Sequence, residues 1–218
     1  MSGNASRYYL RVPVQLVQHP LALDALVTLR DVSTDAPAFR RAAHRISLLL
    51  AAEALRDVPT VRASVTTPVG QAEGRIVRAD VVVVPVLRAG MGMFDAVLEL
   101  MPSARVGHIG LQRDEATAHA STYYAKLPHN LKDSFVLLVD PMLATGGSAC
   151  AALDIVKKAG PRTIRMICIV AAPEGVAAVE AQHPDVTIYT PVIDRELNAQ
   201  KYIVPGLGDF GDRLYGTL

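Results

Sequence analysis

Between Phe135 and Ser148 the chain reads Phe-Val-Leu-Leu-Val-Asp-Pro-Met-Leu-Ala-Thr-Gly-Gly-Ser, and no other stretch restricts the fold as much. Five apolar residues run into Asp140, a short loop follows, and Ala149 to Lys158 carries a helix pattern closed by Gly160 and Pro161. A short continuous apolar run is how a strand buried on both faces reads. Strand, acidic loop, glycine pair and helix, in that order, describe one unit of a parallel α/β sheet. Ligands of such sheets bind outside the carboxyl ends of the strands. Glycines allow backbone N–H groups to approach an anion, and the helix N-terminus adds partial positive charge. That charge is worth only ~0.3–1 kcal/mol, so several N–H donors must converge. Thr145, Gly146, Gly147 and Ser148 supply them. The stretch therefore predicts a phosphate cradle with a carboxylate beside it for sugar hydroxyls. It lacks the Gly-Lys-Ser/Thr ending of nucleotide-triphosphatase loops and the dinucleotide glycine spacing.

The rest of the chain alternates in the same way. Arg11 to Val17 predicts a short strand and His19 to Arg30 a helix. A second helix starts near Asp35, a cap with Pro37 in the first turn, and ends before Pro59. Val61 to Val69 and Gly74 to Val77, separated by Gly70 to Glu73, predict an antiparallel arm outside the main sheet. Val81 to Val86 reads as a buried strand, Gly90 to Leu100 as a helix and Arg105 to Leu111 as a strand. Arg113 to Thr122 reads as a polar loop and Tyr123 to Leu127 as a short strand. Thr163 to Ala171, Glu174 to Gln182 and Val186 to Tyr189 complete a strand–helix–strand series, and the segment from Asn198 onward reads as a glycine-rich loop. The fold class is α/β: a mainly parallel central sheet with helices on both faces, a β-arm, and a small hood from the N-terminal helices and C-terminal segment. No linker divides the 218 residues, so residues 1–218 read as a single domain.

Charge sets limits on partners. A net charge of +1 gives no electrostatic case for nucleic acid or membrane. The densest basic cluster, Arg40, Arg41, His44 and Arg45, lies in a helical pattern and reads as a solvated face. The opening residues have no apolar signal core, and no run approaches the ~18 apolar residues of a membrane span. Cys150 and Cys168 then read as two reduced, buried thiols of a cytoplasmic protein.

Three further constellations carry chemistry. In Val84-Pro-Val-Leu-Arg88-Ala-Gly90-Met-Gly92, a strand ends, an arginine follows and glycines open a helix. Arginine suits bidentate phosphate recognition. In Gly110-Leu-Gln-Arg113-Asp-Glu115 a second arginine begins a polar loop. In Tyr202-Ile-Val-Pro-Gly206-Leu-Gly208-Asp209-Phe210-Gly211-Asp212-Arg213 the glycines match the dinucleotide spacing, but only seven residues follow Gly211. No helix, strand and ribose-binding acid can follow in seven residues, so that match is rejected.

Together these stretches resemble the uracil phosphoribosyltransferase family of type I phosphoribosyltransferases. The resemblance covers most of the chain, including His19-Pro-Leu, Pro102-Ser-Ala-Arg105, Ala171-Ala-Pro-Glu-Gly175 and His183-Pro-Asp-Val-Thr-Ile-Tyr189. Most of the superfamily has two adjacent acids before the cradle. Pro141 stands in the second place here, as in the uracil enzymes. The resemblance implies transfer of the phosphoribosyl group of phosphoribosyl pyrophosphate to N1 of uracil, giving uridine monophosphate and pyrophosphate. It places the phosphoribosyl pyrophosphate on Asp140, Pro141, Met142, Leu143, Ala144, Thr145, Gly146, Gly147 and Ser148, with Arg88 and Arg113 on its diphosphate. Arg113 would begin a mobile loop that shields the site from water. Uracil would be read by Ile203, Gly208, Asp209 and Phe210. Uracil presents acceptor, donor, acceptor; cytosine changes two of the three, and a fully paired site can reject it by roughly 10⁴-fold. The family's common bacterial form has a small residue where Phe210 stands, so Phe210 either walls the base or turns into the core. Mg²⁺ would arrive on the substrate, touching Asp209 through water. Asp140, Arg88, Arg113 and Asp209 are thus the expected catalytic residues, without a general base among them. The resemblance also implies a homodimer or higher homo-oligomer and leaves guanosine triphosphate open as an effector. An RNA-binding regulator would need a basic face, and a nicotinamide-dependent oxidoreductase rests only on loose glycine patterns.

Overall fold

The computed structural model describes residues 14–113 and 120–217. In chain order its elements are β1 (Val14–Leu16), α1 (Pro20–Arg30), α2 (Ala36–Ala54), β2 (Thr60–Thr67), β3 (Gly70–Val77), β4 (Val81–Leu87) and α3 (Met91–Leu100). Then come β5 (Arg105–Val106), β6 (His108–Arg113), β7 (Ala120–Lys126), β8 (Phe135–Val139), β9 (Met142–Leu143), α4 (Gly147–Lys158) and β10 (Thr163–Ile167). The last are β11 (Val170–Ala171), α5 (Pro173–Gln182), β12 (Thr187–Thr190), β13 (Glu196–Leu197), β14 (Ile203–Val204) and α6 (Phe210–Tyr215).

The central sheet runs β1-β12-β10-β8-β4-β6-β7, with β5 also paired to β4. Every pairing in it is parallel except β6 with β7. Pleating sends alternate residues to opposite faces. Val83, Leu137 and Val139 therefore pack under α1, α2 and α3, while Val82, Val84, Val136 and Leu138 pack under α4 with Leu153 and Val156. Both faces being covered explains why β4 and β8 are uninterrupted apolar runs. The α2 cap is as the sequence reads: the Asp35 carboxylate accepts from Ala38 N–H at 2.8 Å. His19 caps α1 through Nδ1, which accepts from Leu21 N–H.

Chain order reverses between β4 and β8. From β4 the chain continues to one side through α3 and β6; from β8 it continues to the other through α4 and β10. Such a switch point opens a crevice at the carboxyl ends of the two strands. The loops bearing Arg88 and Asp140 both leave from there.

Several boundaries differ from expectation; Arg105 to Leu111, expected as one strand, is β5 and β6, the second running on to Arg113. The arm is a full eight-residue ladder, β2 with β3, and turns at Pro68 and Val69 rather than over Gly70 to Glu73. Ala120 to Thr122 belong to β7, not to a loop. The apolar run Thr163 to Ala171 is two strands: β10 stays in the main sheet, while β11 pairs with β9. The C-terminal segment carries β14 and the six-residue α6. Residues 114–119, with the expected mobile loop at Asp114 and Glu115, lie outside the described residues, as do residues 1–13.

Candidate active site

The phosphate loop leaves β8 at Asp140. Gly146, with φ +83°, turns the chain into α4. A Cβ on Gly146 would lie 2.6 Å from the Ala178 methyl, and one on Gly175 would lie 2.5 Å from the Ala144 carbonyl oxygen. The loop thus rests directly on the first turns of α5, which is why Gly175 belongs with the cradle although it lies far off in sequence. Its residues alternate in direction. Pro141 and Leu143 are buried, and their carbonyls accept from Ile169, Val170 and Ala172 N–H groups. Gly147 and Ser148 are exposed at the start of α4, and Thr145 Oγ1 accepts from Gly147 N–H at 3.5 Å.

Asp140 is buried, and burial pushes its carboxyl up to about 7, opposed by the Met142 N–H donating to Oδ1 at 3.4 Å. Burial thus favours the neutral form of this carboxyl. Sugar hydroxyls donating to it would favour the charged form.

Arg88 follows β4 through a cis Leu87–Arg88 peptide bond. Its guanidinium is two-thirds exposed and lies 3.7 Å from Asp212. The Tyr215 hydroxyl donates to the Arg88 carbonyl at 3.3 Å. Gly90 then starts α3 with no room for a side chain: a Cβ would stand 2.5 Å from the Val139 carbonyl oxygen. The two loops of the switch point are therefore in backbone contact. Arg113 is the last residue of β6, a strand that pairs directly with β4.

The C-terminal segment completes the site. Val204–Pro205 is cis, and Gly206 and Gly208 have φ of +60° and +79°. Asp209 caps α6, its Oδ1 accepting from Asp212 N–H at 2.8 Å, while Oδ2 makes no hydrogen bond among the described residues. A cavity of about 270 Å³ lies between this segment and the phosphate loop, lined by Met142 and Ala144 from one side and Ile203, Gly208, Asp209 and Phe210 from the other. Gln200, Lys201 and Tyr202 form its rim. All four residues expected to read the base thus meet in one cavity. Phe210 turns into the core, buried edge-on against Phe39 with ring centroids 5.2 Å apart, and it also borders the cavity.

This geometry can be set against known proteins. The family model described as uracil phosphoribosyltransferase matches residues 16–217. The chain belongs to the uracil phosphoribosyltransferase family. The uracil phosphoribosyltransferase of Dictyoglomus turgidum is 49% identical over 205 residues, covering 94% of this chain and 99% of the relative. That of Geobacillus kaustophilus is 48% identical over 205 residues, covering 94% and 98%. The solved structure of the AQ2163 protein from Aquifex aeolicus matches with a TM-score of 0.88 at 36% identity, over 93% of this chain and 97% of that one.

Sequence reasoning missed the residues that hold the C-terminal loop around Gly206 in place. Buried Asp194 receives both nitrogens of Arg30, at 2.6 and 2.9 Å, and Gly206 N–H at 2.9 Å. Arg30 also donates to the Gly206 carbonyl at 2.9 Å. Arg213 donates to the carbonyls of Leu29 and Leu207 and lies 4.6 Å from the Phe39 ring centre. No local spacing signals a partner 164 residues away. Lys201, with φ of +67° at a non-glycine position, borders the same cavity and was not singled out in the sequence. Among the described residues no three His, Cys, Asp or Glu side chains form a metal-binding group, and no helix is long and apolar enough to cross a membrane.

Proposed function

We propose that the protein transfers the phosphoribosyl group of phosphoribosyl pyrophosphate to N1 of uracil, forming uridine monophosphate and pyrophosphate. The observation that carries this reading is the shared cavity: the phosphate loop contributes Met142 and Ala144, the base loop Ile203, Gly208, Asp209 and Phe210. A sugar phosphate on one loop and a base on the other would face each other across it.

Breaking the bond between ribose C1 and the diphosphate builds positive charge on the sugar and negative charge on the leaving group. Positioning and charge stabilisation are then the main demands. The 5′-phosphate would take the N–H groups from Ala144 to Ser148. Asp140 would accept from the ribose hydroxyls and, once ionised, favour the developing cation. Arg88 and Arg113 would neutralise the diphosphate. The reading gains support from Arg88 being exposed and held, among the described residues, by a long contact to Asp212, which an arriving diphosphate can displace. Pro141 and Leu143 would contribute through the backbone path they set, since their side chains are buried.

The donor set suits a metal that comes with the substrate. Mg²⁺ prefers few protein carboxylates plus phosphates and water, and Asp209, whose Oδ2 makes no hydrogen bond among the described residues, offers one. Bound Mg²⁺ would supply positive charge to the departing diphosphate. The protein would work as a cytoplasmic homo-oligomer. Val61, Val65, Ile76 and Val77 are exposed on the β2–β3 arm, which fits association of like chains. A guanosine triphosphate effector rests on the family resemblance alone.

The test is pyrophosphate release from phosphoribosyl pyrophosphate with Mg²⁺, comparing uracil, cytosine, hypoxanthine and no base. Release with uracil alone is expected. Release with another base instead would keep the cradle but overturn the uracil reading.

A further inference from the structure

The reaction leaves one proton unaccounted for. N1 of uracil must lose its hydrogen to bond ribose C1, and no histidine stands in the stretches 84–92, 140–148 or 198–213 that border the site. The rim of the uracil cavity contains a residue in an unfavourable conformation. Lys201 has φ of +67°, a region that L-residues other than asparagine and aspartate seldom enter. A tight turn holds it there. The Asn198 side-chain oxygen accepts from the N–H groups of Gln200 and Tyr202, at 3.0 and 2.9 Å. Lys201 N–H donates to the Asn198 carbonyl, and Asn198 N–H to the Tyr202 carbonyl, both at 2.9 Å. Glycine would take this conformation without steric cost, so the lysine side chain is kept against local preference. Among the described residues Lys201 makes no side-chain hydrogen bond or ion pair. It is the cation among the cavity's lining residues, which otherwise include two ionisable groups, Asp209 and Tyr202.

We propose that the Lys201 ammonium stabilises uracil as its N1 anion and so activates the nucleophile. This rests on the uracil reading above. Removing the N1 proton spreads negative charge over N1, O2 and O4, and a cation within a few ångströms favours the ionised form. The N1–H electron pair stays on nitrogen and the proton passes to water at the cavity mouth. That pair then forms the N1–C1 bond as the C1–oxygen bond breaks and its electrons leave with the diphosphate. Asp209 opposes the effect electrostatically, but its Oδ1 is engaged in capping α6 and it is the carboxylate assigned to the metal.

The experiment compares wild type, Lys201→Gly and Lys201→Arg with uracil and with 5-fluorouracil, whose ring proton is more acidic. Lys201→Gly relieves the backbone, so its melting temperature should be unchanged or higher. Its kcat/KM for uracil should fall about tenfold, the size of effect a single near charge produces at a partly exposed site. The fall with 5-fluorouracil should be clearly smaller, the KM for phosphoribosyl pyrophosphate unchanged, and Lys201→Arg should restore most of the rate. Equal losses with both bases, or no loss, would overturn the proposal. Wild-type turnover of uracil in the same assay tests the underlying reading separately: if the wild type is inactive with uracil, the reading fails before the variant is compared.

Discussion

At the scale of single residues, Asp140 and Asp209 look alike in sequence and differ in the fold. Asp140 is held up at about 7 by burial. A carboxyl raised in the folded state binds more protons there than in the unfolded chain, so stability is highest at acid pH and falls as pH rises from about 4 to about 7. The charged carboxylate is a stability cost of a few kcal/mol at pH 8. Asp140→Asn should therefore raise the unfolding free energy at pH 8, raise it less at pH 5, and abolish most turnover. Chemical denaturation at the two pH values checks the first part. The same carboxyl should make kcat/KM for phosphoribosyl pyrophosphate rise with pH through about 7, because that parameter reports the free enzyme. Asp209→Asn is the opposite case. Asparagine caps helices about as well as aspartate, so α6 should survive with its melting temperature, while turnover with Mg²⁺ falls steeply. Unchanged turnover would remove Asp209 from the site.

At the scale of elements, the contact between the two switch-point loops sets a steric limit. A methyl at Gly90 meets only backbone, from Val139 and Val86, and backbone cannot rotate away. Gly90→Ala should cost about 1–3 kcal/mol or more in denaturant unfolding. Gly74→Ala, on the open arm with nothing within 4 Å, should cost little. Elements whose signal is local were legible in the sequence. Asp35 and Pro37 announced α2, and the apolar run before Asp140 announced β8. The break between β10 and β11 was not, because Ile167 through Ala171 are all buried and an apolar run continues across a change of pairing partner. Cys168 N–H bonds to Tyr189 while Ile169 N–H turns to Pro141, and only the partners reveal the bend. α6 was invisible because six residues are under two helical turns, too few for a period to show. Ala120 to Thr122 looked like loop because an edge strand of small polar residues carries no apolar alternation.

At the scale of the whole molecule, the base loop is carried by the other end of the chain. Arg30 at the end of α1, Asp194 after β12 and Gly206 in the base loop form one hydrogen-bonded unit. Phe39 of α2 packs on Phe210, and Arg40 of α2 donates to the Leu214 carbonyl at 2.8 Å. The two N-terminal helices therefore support the C-terminal side of the cavity, while the loop after β8 rests on α5. This division predicts separable effects. Arg30→Met would leave Asp194, with its side chain 3% exposed, as an uncompensated buried carboxylate, a loss of roughly 3–5 kcal/mol. Because the lost partner holds Gly206, KM for uracil should rise severalfold while KM for phosphoribosyl pyrophosphate stays within twofold. Adding Asp194→Leu to Arg30→Met removes the stranded charge. The double variant should recover much of the stability and none of the uracil affinity, since Gly206 has then lost both its donor and its acceptor. A double variant that binds uracil normally would show that the loop keeps its shape unaided, through Gly206, Gly208 and the packing of Phe210. Equal rises in the two KM values would show instead that α1 supports the whole crevice rather than its base-reading half.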